Sequence, residues 1–69
     1  MTNTDKLESV IAASGLKKGY IAKALDLSIQ GFKNKCTNKS FFTSQEIKTL
    51  CNLLGIINLM DKEQIFFAE

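Results

Sequence analysis

The stretch Gly19–Asn38, GYIAKALDLSIQGFKNKCTN, decides how this chain is read. Ile21, Ala22 and Leu25 recur at helical spacing and predict one apolar stripe on a short helix. Asp26 and Leu27 break that period, and Ser28 is a residue type that caps a new helix. On the second helix Phe32 and Cys36 lie four apart and share a face, while Ile29, Gln30, Lys33 and Asn34 point elsewhere. A short helix docked by two or three apolar residues, with amide, ammonium and apolar tips outward, has the chemistry a major-groove reader needs.

Working outward, the 69 residues predict one domain over 1–69. A chain of this size buries only about 60% of its unfolded surface, so its core is a single cluster. The absence of proline suits an all-α chain with short connections. Apolar runs of three or four residues fall far short of the roughly 20 that span a bilayer. The polar start, MTNTDKLES, shows no apolar core of a secretory signal, so a cytoplasmic protein is expected. There is no histidine and no CxxC pair, which leaves a zinc site without ligands. Cys36 and Cys51 both fall on apolar stripes and read as buried thiols, a disulfide being the other option.

The formal charge of +2 is unevenly spread. Lys17, Lys18, Lys23, Lys33, Lys35 and Lys39 face one acid, Asp26, in the middle third, which carries +5 while the remainder carries −3. A field concentrated in this way suits a polyanion, although a solvated lysine face is the plain alternative.

Flanking elements read as scaffold. Thr4 is the expected cap of a first helix carrying Leu7, Val10 and Ile11, and Gly15 its stop. Ala22 is small where two helices must cross closely. Gly19 either admits a phosphate to the backbone or is simply tolerated near a helix end. After a polar loop, Phe41 is the expected apolar staple, and Thr43 with Glu46 has capping-box spacing. Ile47, Leu50, Cys51 and Leu54 form the stripe of a fourth helix ended by Gly55, and Asn58 or Asp61 caps a short fifth. The tail is more apolar than a solvated segment needs, so it predicts core cover and a subunit interface, with Ile57, Met60, Phe66 and Phe67 as interface candidates.

The run Ile21-Ala22-Lys23-Ala24-Leu25-Asp26-Leu27-Ser28-Ile29-Gln30-Gly31-Phe32 resembles the small Cro/CI-type helix-turn-helix repressors of phages and prophages. Lys35-Cys36-Thr37-Asn38-Lys39, Phe42-Thr43-Ser44-Gln45-Glu46-Ile47 and Ile65-Phe66-Phe67 are similar to blocks of a Gram-positive phage subgroup. The resemblance spans about residues 7–67 and implies a compact four- to five-helix bundle of the lambda-repressor-like class, working in a bacterial host cell. Two positions depart from the pattern. Asp26 stands where the family has glycine, and asparagine or aspartate tolerates that left-handed turn better than most. Lys35 stands where an apolar residue is usual, which hands the packing to Cys36 and pushes Lys35 towards the rim of a DNA contact.

By that resemblance Ser28, Ile29, Gln30, Lys33 and Asn34 face bases. Gln30 and Asn34 each have the amide geometry that pairs with adenine, Ile29 suits a thymine methyl, and Lys33 reaches guanine or phosphate. No arginine is present, so the lean is towards an A·T-rich site. Lys17, Lys18, Asn38 and Lys39 are the phosphate candidates, which fix register rather than read sequence. So small a module binds a half-site, hence a homodimer on a pseudo-palindromic operator of double-stranded DNA, with reading helices about 34 Å apart. No cofactor, metal or small-molecule ligand is expected. An enzyme is not expected either, since no nucleophile has a base at hand. The rival reading is a protein–protein module (an antitoxin, adaptor or antirepressor) with its lysine face turned to an acidic partner.

Overall fold

A computed structural model describes residues 1–67. Five α-helices follow one another: α1 (Thr4–Ser14), α2 (Lys18–Ala24), α3 (Ile29–Cys36), α4 (Ser44–Leu54) and α5 (Leu59–Phe66), with no strand among the described residues. None is long and apolar enough to cross a membrane. α1 packs on α4 and α5, and α2 packs on α3 and α4.

Most helix ends have a local cause, although Lys17 caps α2 without a side-chain hydrogen bond. α1 stops at Gly15 (φ 74°) and α4 at Gly55 (φ 71°), left-handed positions that glycine adopts without steric cost. At the end of α2 that position falls on Asp26, with φ 60°. The Asp26 N–H donates to the Lys23 carbonyl (3.0 Å) and the Leu27 N–H to the Ala22 carbonyl (2.9 Å), the paired closure of a Schellman turn. The departure from glycine noted at Asp26 is therefore accommodated. α3 ends the same way on Asn38, φ 68°, with the Lys39 N–H donating to the Asn34 carbonyl (2.8 Å). At α4 the expected capping box forms. The Thr43 hydroxyl accepts from the Glu46 N–H (3.2 Å), and the Glu46 carboxylate accepts from the Thr43 N–H (2.9 Å).

Three expectations need correcting. α1 is capped by Asn3, whose side chain accepts from the Lys6 N–H (3.1 Å), not by Thr4. The Thr4 hydroxyl instead donates to the Cys36 carbonyl (2.6 Å), satisfying an orphan at the end of α3. Phe42, not Phe41, packs inward, because a staple occupies the position directly before the cap, and the cap is Thr43. Phe41 is 73% exposed. Phe66, expected as an interface candidate, is buried in the chain's own core.

Leu7, Ile21, Phe32, Leu50 and Ile65 are fully buried, each contributing about 1.5–3 kcal/mol by leaving water. Phe42 meets Phe32 and Phe66 edge-on, with ring centroids 6.1 and 5.7 Å away. That aromatic row joins α3 to α5, and each such pair adds about 0.5–1.5 kcal/mol beyond area burial. The N-terminal segment closes the other side. The Thr2 N–H donates to Asn38 Oδ1 (2.8 Å), Asn38 Nδ2 donates to the Thr2 carbonyl (3.0 Å), and the Asn3 N–H donates to the Ile65 carbonyl (2.6 Å). Residues 2–4 thus hold the C-terminal ends of α3 and α5 together.

Candidate nucleic-acid interface

α3 starts where its cap dictates. The Ser28 hydroxyl accepts from the Gly31 N–H (3.0 Å), and Phe32 and Cys36, one turn apart, bury the inner face. The positions away from that line and from α4 are turned outward by that docking. Ile29 (64% exposed), Gln30 and Lys33 lie on the surface, and Asn34 is half-buried. Gln30 Nε2 donates to Asn34 Oδ1 (2.9 Å), so the two amides form one hydrogen-bonded pair that still presents Gln30 Oε1 and Asn34 Nδ2 as acceptor and donor. The Ser28 hydroxyl keeps its proton to donate while serving as the cap.

The first turns of α2 and α3 lie side by side. A methyl built on Gly19 would stand 3.7 Å from the Ile29 Cδ1 atom, an ordinary van der Waals contact. Gly19 is therefore not forced by crowding. Lys18, Ile29 and Lys33 share the lining of a cleft of about 410 Å³ between α1 and α3, together with Glu8. Glu8 pairs with Lys18 at 2.7 Å across its mouth, with both side chains largely exposed. Such a pair is worth little against water and salt, and Lys18 leaves it at small cost.

The six lysines of the middle third divide into three situations. Lys17, Lys23, Lys33 and Lys39 are exposed and make no ion pair among the described residues. Lys18 is held loosely by Glu8. Lys35, expected at the rim, is turned the other way. Its ammonium sits 2.6 Å from Glu46, and the two side chains are only 16% and 15% exposed. The reason is packing. Cys36 fills the core slot, and the next position round the helix faces the start of α4, where a carboxylate is waiting. Burial alone would raise the Glu46 carboxyl, but the Lys35 ammonium and the Thr43 capping bonds outweigh it and hold it below the usual carboxylate range.

Asn38 is likewise engaged, by both polar atoms of its amide, with Thr2. That leaves Lys17, Lys18 and Lys39 as the phosphate candidates with ammonium groups at the surface. Of the interface candidates, Ile57 (97%), Met60 and Phe67 are exposed. Leu59, not singled out from the sequence, joins them at 69%. Tyr20 and Phe41 are two more large exposed side chains in the basic region that periodicity did not flag, because a single aromatic on a helix or loop carries no periodic signal.

Burial pushes the Cys36 thiol up to about 11, with Glu8 adding to the rise and Lys18 opposing it, and burial also raises Cys51. Both remain thiols near neutral pH, and a thiol is a poor nucleophile. Among the described residues no three His, Cys, Asp or Glu side chains gather as metal ligands would. Comparison of the chain with family models, with curated proteins and with solved structures finds no match.

Proposed function

We propose that this chain is a sequence-specific double-stranded DNA-binding regulator of transcription, with α2, its turn and α3 acting as a helix-turn-helix of the Cro/CI repressor type. α3 enters the major groove, and Ser28, Ile29, Gln30, Lys33 and Asn34 supply the base contacts. Lys17, Lys18 and Lys39 neutralise phosphates and fix the register. A second copy, joined through Ile57, Met60 and Phe67, reads the other half of a pseudo-palindrome in the cytoplasm of a bacterial host.

One observation carries this reading. α3 buries only Phe32 and Cys36, and its outer face combines a hydrogen-bonded amide pair with the unpaired Lys33 in the most basic third of the chain. Paired amides are directional, and base edges are the ligands whose donor and acceptor pattern makes direction useful. Selection of bound sites from random duplex DNA tests it. The wild type should enrich one motif, and Gln30→Ala, folded by circular dichroism, should lose about 1–3 kcal/mol of discrimination at one base pair. Enrichment of nothing by the wild type sinks the proposal.

Tyr20, Ile29 and Phe41, exposed among the lysines, favour a second reading as a module for an acidic protein partner. Salt separates the two. DNA binding weakens log-linearly with a slope set by the number of phosphates neutralised, whereas an interface with apolar anchors weakens far less.

A further inference from the structure

α3 buries two side chains in one line, Phe32 and Cys36, a turn apart along the helix axis, which resists sliding more than rolling about that axis. The bonds from Thr4 to the Cys36 carbonyl and between Thr2 and Asn38 hold its C-terminal end alone. Successive side chains advance by about 100°, so Gln30 and Asn34 lie opposite the core line. Lys33 flanks the core line towards α1 and Lys35 flanks it towards α4. A roll of some tens of degrees would exchange which of these meets a base edge.

We propose that the Lys35–Glu46 pair is the device that sets this roll, and so determines which α3 side chains read DNA; the inference rests on the DNA-reading assignment above. Two features make the pair a tether rather than an incidental surface contact. Its side chains are 16% and 15% exposed, whereas those of Lys18 and Glu8 are 53% and 40% exposed. Its far end is also held by a second bond. Glu46 Oε1 takes the Lys35 ammonium (2.6 Å) and the Thr43 N–H (2.9 Å) together, so the carboxylate is already ordered by the cap of α4. An anchored partner leaves less entropy to lose on pairing. Lys35 is therefore a positioning residue that touches no DNA.

The test compares wild type, Lys35→Met and Lys35→Arg. Met keeps the apolar stem and removes the charge, and Arg restores a cation able to reach Glu46. Backbone residual dipolar couplings of α3 in the free protein report its orientation against α4. Affinities for the selected duplex and for a scrambled duplex report reading. Lys35→Met should change the couplings of α3 and lower the preference for the selected duplex about tenfold, leaving affinity for the scrambled duplex within about twofold. Lys35→Arg should restore both. Unchanged couplings with unchanged preference overturn the proposal. So does an equal loss on both duplexes with a salt slope smaller by about 1, which would make Lys35 a phosphate contact. A wild type with no preference for any duplex defeats the DNA reading instead, and the couplings then decide the roll alone.

Discussion

α3 and α5 are both eight residues long, both are capped by a side chain, and each buries two residues: Phe32 and Cys36 in one, Ile65 and Phe66 in the other. They differ in what they leave outside. α3 presents Gln30, Lys33 and Asn34, groups whose hydrogen bonds have direction. α5 and the turn before it present Ile57, Leu59 and Met60, with Phe67 just beyond, apolar area interspersed with Asp61, Lys62 and Glu63. Equal anchoring thus supports two unlike surfaces. Directional polar groups gain from a ligand with a fixed pattern of donors and acceptors, and apolar area gains from any surface that excludes water. That contrast is why we propose DNA as the ligand of α3 and a second copy as that of the α5 region.

The contrast breaks most severely at its anchors. Phe32→Ala and Phe66→Ala should each destabilise the monomer by about 3–5 kcal/mol in urea unfolding. A Phe66→Ala variant with native monomer stability and weakened self-association would return Phe66 to the interface. Next in size, Ile57→Lys or Met60→Lys should leave monomer stability within about 0.5 kcal/mol, since neither side chain is buried. Either should weaken self-association measured by sedimentation by about 1–2 kcal/mol. If the same changes abolished binding to a half-site, the two surfaces would not be separate.

The Lys35–Glu46 tether gives a pH signature. The folded-state carboxyl lies below its ordinary value, so its contribution to stability is complete above the usual carboxylate range. That contribution is lost as pH falls through the lower, folded value. Acid titration followed by thermal melting should therefore show wild type losing more stability than Lys35→Met, and curves that stay parallel would remove the tether. The smallest effect concerns the turn that sets α3 on α2. Asp26→Gly should raise stability by about 0.5–1 kcal/mol by relieving a left-handed position. A loss would mean that the Asp26 carboxylate makes a contribution its backbone does not reveal.

What was legible beforehand was mostly local. The stripes, the Ser28 cap, the Thr43–Glu46 box, the stops at Gly15 and Gly55 and the tolerance of Asp26 all follow from neighbours three to six residues away. Where two local options competed, sequence reasoning went astray, as with Thr4 against Asn3 and Phe41 against Phe42. A rule that distinguishes the residue before a cap from the one before that settles the second case.

By itself, the sequence determined an all-helical chain, the stops at Gly15 and Gly55, the caps at Ser28 and Thr43, the outward set on α3 and the concentration of lysines around it, because helix periodicity and capping act within a few residues. Only the tertiary structure decided that Lys35 is held by Glu46 eleven positions on, that Asn38 binds Thr2 across thirty-six, and that Phe66 lies inside. Those pairings depend on which helix ends meet in space. No periodicity encodes that meeting, since it is the packing of the whole core that brings the partners within hydrogen-bonding distance.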